Sequence, residues 1–314
     1  MMAGLDTLFK LNPGLRPRLA CEIRPEGVIA ARAASTPKRG DKSGAGEPVV
    51  AFAALPEGAL TPGLKVPNLA NRPAIVAAMG EVLEAVSPRD RALTLVVPDA
   101  AARVVLLDFD TLPPHRQEAL SVVRFRLRKM VPFDVETAAV SYQTMAHRKD
   151  EIGVLVTVMP GEVLAEYEAA AREAGYEPGA VLPSTLAAVA ALGGEGAPLV
   201  VNHSQQSVTT AVTQGDELLL HRSIDLPAEE DARDEELARA VITTLAWYED
   251  TLHAVPAAIG YAGPGGAETA ARSRWLRFVD RAPDIEDLVA APATGTMTSI
   301  PAGVTAGVMG ALAS

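Results

Sequence analysis

The sequence predicts an α/β protein of two lobes with a small unit inserted into the first, and three observations carry that expectation. Residues 19–33 and 198–222 read as β-hairpins, and each opens a half of the chain in which strands alternate with amphipathic helices. Between them, residues 103–182 follow the order β-α-β-β-α-β, which fits a compact subdomain. The composition suits large cores packed from Ala and Val: 314 residues, 48% hydrophobic and only 4% aromatic. The expected division is 1–102 with 183–196 for the first lobe, 103–182 for the insert and 197–314 for the second lobe.

In the first lobe, LACEIRPEGVIAARA gives two strands around a turn at Pro25-Glu26-Gly27. VVAFAAL is a third strand. Asn71 and Pro73 open a helix whose Ile75, Met79, Leu83 and Val86 share one face. ALTLVVP is a buried strand. Residues 35–48, rich in Gly, Ser and charge, cannot bury a core and read as a loop. In the insert, RVVLLDFDTL is a strand and 116–130 a helix with a core-facing stripe of Leu120, Val123, Leu127 and Met130. AAVSYQTM and GVLVTVM are strands, 161–174 is a helix, and a short strand runs from about Gly179 to Leu182.

A helix from Pro183 to Leu192 and a hinge-like GGEGAP close the first half. The second hairpin runs from Leu199 through the polar turn Asn-His-Ser-Gln-Gln to Ser207–Val212, then through Gly215 to Glu217–His221. A long helix from about Glu229 to His253 places Leu237, Val241, Leu245, Tyr248 and Leu252 on one side. Its acidic first turns suit the positive end of a helix dipole. AAIGYAGPGG is a strand breaking into a glycine turn, WLRFVDRA reads as a further strand, and the uncharged tail from Leu288 is expected to finish the sheet.

Several function classes fall away on these totals. A net charge of −11 argues against nucleic acid, which demands a broad basic surface. One cysteine, Cys21, excludes an internal disulfide and a cysteine zinc cluster, and points to a reducing compartment. The first fifteen residues lack the apolar core of a signal peptide; Leu5 to Leu11 reads as a frayed end or as a short amphipathic contact. The uncharged tail has the length of a membrane span, but Pro292, Pro301 and its glycines dilute the large aliphatics, so a buried strand and helix is expected. The histidines at 115, 147, 203, 221 and 253 include no i, i+4 metal pair, and a solvated turn is the ordinary reading of His203. Ser184 and Ser204 lack the G-x-S-x-G setting of a serine hydrolase.

An ordered set of motifs then brings a family into view. VPDAAARVVLLDFDTLPPHRQEALSVVRFRLRKMVPFDVETAAVSYQTM resembles the pilus-assembly PilM family: a V-P-D strand end, then an insert whose helix finishes in a basic residue and P-F, here Lys129, Pro132 and Phe133. LPEGALTPG, GYEPGAVLPSTLAAVAAL, the strand ending His221-Arg222-Ser223 and IPAGVTAGVMGAL continue the likeness. The resemblance implies an actin-like, ribonuclease H-like fold, also that of FtsA, with ATP or ADP and Mg²⁺ in a cleft between the lobes. It implies a protein peripheral to the inner membrane on its cytoplasmic side, holding the cytoplasmic N-terminal tail of a bitopic PilN-like protein. It also implies a tail groove between first lobe and insert, which by position singles out Arg124, Arg128, Pro132 and Phe133.

At the cleft the sequence departs from that pattern. Glu22 stands near the usual acidic position, but Arg24-Pro25-Glu26 replaces a Gly and Ser run, so a proline removes an N–H and a carboxylate would repel phosphate. Asn202 and Ser204 replace Asp and Gly in the second turn, which removes a charge. Gly263, Gly265 and Gly266 keep the glycine turn. The expectation is a scaffold with a remnant nucleotide cleft, no bound metal and no cofactor. One alternative is an active ATP-binding switch. Another is the cytoplasmic part of a type II secretion platform protein, which normally continues into a transmembrane helix where this sequence stops.

Overall fold

The computed structural model describes residues 17–34, 47–147, 151–192, 198–215, 217–280, 282–289 and 300–313. The Leu5–Leu11 stretch, nearly all of the 35–48 loop, the 193–197 part of the linker and residues 290–299 of the tail lie outside the described residues.

The first lobe opens on the expected hairpin, β1 (Leu19–Arg24) with β2 (Gly27–Arg32), followed by β3 (Val49–Ala54), α1 (Arg72–Val86) and β4 (Ala92–Val97). Asn71 caps α1 by accepting from the Ala74 N–H at 3.3 Å, and Pro73 occupies the first turn, where no N–H partner is missed. Three strands then pair antiparallel as a separate sheet, in the order β5 (Arg103–Phe109), β7 (Ile152–Met159), β6 (Ala139–His147), with α2 (Arg116–Leu127) packed on one face.

The order of elements over 103–182 is the one expected, but its last two, α3 (Gly161–Glu173) and β8 (Glu177–Pro183), leave the insert. β8 pairs parallel with β4, so the first sheet runs β3-β2-β1-β4-β8. The apolar side of α3, Val163, Tyr167, Ala170 and Ala171, is buried with Ile75, Met79 and Leu83 of α1. A stripe that complete needs an apolar partner, and the first sheet with α1 supplies it. The helix at 116–130 also differs in detail. Ala119, Val123 and Leu127 are its buried residues, while Met130 is 49% exposed. The α-helix ends at Leu127, and the Met130 N–H turns back to the Leu127 carbonyl, which rotates Met130 off the stripe.

After α4 (Ser184–Val189) the second lobe repeats the plan of the first. β9 (Leu199–His203), β10 (Ser207–Gln214) and β11 (Glu217–Asp225) pair antiparallel, α5 (Glu230–Leu252) follows, and β12 (Ala258–Ala262) and β13 (Asp284–Asp287) add in parallel to give β11-β10-β9-β12-β13. Glu229 caps α5 through the N–H groups of Asp231 and Ala232. After α6 (Gly266–Arg272), where a WLRFVDRA strand was expected, Arg274–Phe278 form a 3₁₀ turn, and Trp275 and Val279, four apart, are both buried in the core that α5 covers. The edge strand is formed by Asp284–Asp287 instead. Among the described residues, none of the tail adds a strand to this sheet. Its helix α7 (Ala306–Ala313) crosses to the first lobe, where Val304, Val308 and Ala311 pack on Ala20, Ile29, Val96 and Ala187. No described helix is long and apolar enough to cross a membrane.

Candidate functional site

Strand alternation builds the cleft between the lobes. Along β1, Leu19, Cys21 and Ile23 face α1, so Ala20 and Glu22 face α4 and α7. Along β9, Leu199 and Val201 face α5, so Val200 and Asn202 face the first lobe. Two polar side chains, one from each lobe, therefore point into the same seam. Asp99 joins them just beyond β4, and Ser184 and Thr185 join them from the first turn of α4.

Glu22 is fully buried and accepts from the Ser184 hydroxyl at 2.6 Å and from the Arg24 guanidinium at 3.1 Å. Its second oxygen has no hydrogen-bond donor and lies against Gly307 of α7, where any Cβ would collide with it. Arg24 reaches in three directions: to Glu22, to Glu26 at 3.3 Å, and across the seam to the His203 carbonyl at 2.8 Å. Burial pushes the Glu22 carboxyl up, opposed by Arg24 and by the Ser184 hydrogen bond. The two carboxylates hold Arg24 charged. Asn202 donates to Ser184 and Thr185, each at 2.9 Å, and Asp99 accepts from the Thr185 N–H at 3.0 Å.

Four consecutive N–H groups line the turn between β9 and β10, and protein acceptors take all four. The Ser204 N–H goes to the Ser207 carbonyl, Gln205 to Glu26 at 2.8 Å, and Gln206 and Ser207 to the Ser204 hydroxyl. In a phosphate cradle such groups point at the ligand. The space left among Glu22, Arg24, Asp99, Asn202 and Ser204 is about 20 Å³. That volume suits about one water molecule.

The structure thus brings Glu22, Asn202 and Ser204 together, and keeps the glycine turn apart from that small cavity. Gly265 and Gly266 adopt φ of +79° and +65° at the start of α6, and Asp287 accepts the Ala267 N–H there at 2.7 Å. Asp99, Ser184 and Thr185 belong to the site and were missed as its members, and Arg24, read from the sequence only as an interruption of a glycine turn, bridges its two sides. The V-P-D end of β4 was the signal for Asp99, and the L-P-S-T across the end of β8 that for Ser184 and Thr185.

His203 is half-buried rather than solvated. Its Nδ1 meets the Tyr261 hydroxyl at 2.8 Å, its Nε2 is enclosed without a partner, and burial pushes its pKa down to about 4. The unfolded chain therefore binds its proton first as pH falls. This stabilising contribution is whole above pH 6.5 and is lost on the way down to about pH 4. His203→Asn, which keeps an acceptor for Tyr261, is expected to remove about 2–3 kcal/mol of acid-induced destabilisation across that window, read from urea unfolding at a series of pH values.

A second concavity, of about 300 Å³, lies where the first lobe meets the insert. β8 and β6 flank it, and each is an edge strand of its sheet. Gly179, Ala180, Ser141, Thr157, Leu164 and Glu168 are among its lining residues. The residues singled out from the sequence sit elsewhere. Arg124 is tied to the carbonyls of Val135 and Ala138, Arg128 pairs with Glu136 at 2.6 Å in solvent, Pro132 is exposed, and Phe133 packs on the core under α2.

Two five-stranded mixed sheets of the same strand order, facing each other across a cleft, define an actin-like protein of two lobes. Among solved structures the chain is similar to one from the PilM–PilN type IV pilus biogenesis complex, at 17% identity over 94% of this chain and 98% of that one, with a TM-score of 0.71. It also matches the cytoplasmic domain of EpsL, an inner-membrane component of the type II secretion system of Vibrio cholerae, at 12% identity, 94% and 92% coverage and a TM-score of 0.48. A Bacteroides thetaiotaomicron protein with an actin-like ATPase fold matches at 9% identity, 88% and 93% coverage and 0.43. No family model and no curated protein matches. At these identities the likeness is one of fold.

Proposed function

We propose that this chain is a PilM-like cytoplasmic scaffold of an inner-membrane type IV pilus platform, which holds the short tail of a PilN-like membrane protein and turns over no nucleotide. The observation that carries this reading is the filled cleft. Where an actin-fold ATPase offers N–H groups and a metal-ordering carboxylate to a triphosphate, Arg24 engages one oxygen of Glu22 and one of Glu26, and the N–H groups of the turn at 204–207 go to Ser204, Ser207 and Glu26. The tail has a separate place to go. The 300 Å³ groove is bordered by two edge strands, and an extended peptide adds readily to such edges. This reading moves the tail contacts from Arg124, Arg128, Pro132 and Phe133 to the walls at Ser141 and Gly179.

The test is a pair of isothermal titrations on the full chain. Mg-ATP is expected to give no heat, and mass spectrometry no co-purified nucleotide. A synthetic N-terminal tail of the PilN-like partner is expected to bind, and Ser141→Arg to weaken that binding at least about tenfold, since filling a pocket removes well over 1.4 kcal/mol of contact. Ser141 is exposed, so its substitution leaves the melting temperature unchanged. Magnesium-dependent ATP binding with phosphate release would establish the active-switch alternative instead.

A further inference from the structure

The C-terminal end of α2 carries a tip that neither the cleft nor the groove uses. Phe125 is 66% exposed and Met130 49% exposed, and of the large apolar side chains exposed among the described residues these two lie five positions apart in one basic segment. Arg126, Arg128 and Lys129, all exposed, lie beside them. Residues 125–130 therefore hold three cations and no acid, in a chain whose net charge is −11.

We propose that this tip docks on an anionic lipid surface, with Phe125 and Met130 entering the headgroup layer and the three cations facing lipid phosphates. Side chains this exposed project rather than line a recess, so they suit a deformable partner into which they can sink. An aromatic and a thioether flanked by long cationic stems are the side chains that settle at a bilayer interface. At physiological salt a membrane senses charge within about 8 Å, so it responds to the tip rather than to the acidic body as a whole. The acids nearby are engaged or set aside. Glu136 is paired with Arg128 in a solvent-exposed contact that a lipid phosphate can replace, Asp134 accepts the Glu136 N–H, and Asp108 and Asp110 flank Phe109 at the end of β5. Arg126 sits 5.4 Å over the Phe109 ring, which fixes its guanidinium beside the tip. The mount is rigid, since Arg124 is tied inward and the N–H groups of Met130 and Val131 both return to the Leu127 carbonyl.

Vesicle flotation of the full chain tests this, with phosphatidylcholine alone against phosphatidylcholine mixed with phosphatidylglycerol. Binding is expected with the anionic vesicles and not with the neutral ones, falling as salt rises. Lys129→Ala is expected to weaken it about fivefold, and Phe125→Ser with Met130→Ser to abolish it. These side chains are exposed, and an unchanged melting temperature shows that the fold survives. Equal binding to both vesicles, binding to neither, or anionic binding that the variants leave intact would overturn the proposal. So would capture of a polyglutamate peptide at the tip in place of vesicles, which would make the patch an acidic-protein site. The tail titration is independent of each result, so either reading can fail without the other.

Discussion

Replacing Arg24 by alanine is expected to destabilise the protein by about 3–5 kcal/mol, the scale set by leaving one member of a buried ion pair uncompensated. Glu22 is fully buried, and Arg24 is its sole ionic partner at 3.1 Å among the described residues. The same guanidinium binds Glu26 and spans the seam to the His203 carbonyl, so one substitution unties both turns and both lobes. Without Arg24 the Glu22 pKa, already raised by burial, rises further. The sign of the pH dependence follows. Below the ordinary carboxylate value near 4.5, Glu22 is protonated in both states and the defect is small. Above it the unfolded chain ionises while the native state resists, so stability is lost as pH rises toward the native pKa. The deficit of Arg24→Ala should therefore be larger at pH 7 than at pH 4.5. The double variant with Glu22→Gln should recover much of it in urea unfolding, and failure of that rescue would show that the pair does not act as a unit.

Gly310→Ala in α7 is expected to cost about 3 kcal/mol or more, although the same exchange on an open helix face stabilises. A Cβ at Gly310 would fall on the carbonyl oxygen of Ala187, with the Ala187 carbonyl carbon at 2.8 Å, so the obstacle is backbone and cannot rotate away. Helix α7 would have to lift from α4, exposing Val308 and Ala311 and uncovering the buried carboxylate of Glu22. Gly80 in α1 supplies the control. A Cβ there meets nothing within 4 Å, so Gly80→Ala should raise stability by about 0.5–1 kcal/mol through helix propensity alone. Thermal melts of the two variants should move in opposite directions.

Much of the fold was legible because local signals agreed with tertiary need. The Asn71 and Glu229 caps, the Pro25-Glu26-Gly27 turn and the apolar spacing of α5 each marked an element that the structure contains. What was not legible was docking. Nothing within residues 161–183 or 306–313 states which sheet they join, because a stripe such as Val163, Tyr167 and Ala171 fits any apolar face of the right width. In WLRFVDRA the bulky residues mimicked a strand, while the i, i+4 burial of Trp275 and Val279 followed a helical period. At the cleft, the family resemblance nominated Glu22 and Asn202 by their places in the two hairpins. The part played by Arg24 depends on a contact to residue 203, far away in sequence, and local reading treated it only as an intrusion into a glycine turn.

The crossing of α7 to the first lobe also bears on how the chain is made. The α4-facing side of β1 and β2 is covered by Val304 and Val308, which leave the ribosome only after the second lobe's strands and α5 have been synthesised. At roughly 5–20 residues per second, the interval between α4 and α7 lasts on the order of ten seconds. Through that time the nascent chain carries an uncovered apolar sheet face, so the lobe begun first is finished last. A chain truncated before α7 is expected to expose that face and to aggregate more readily than the full chain.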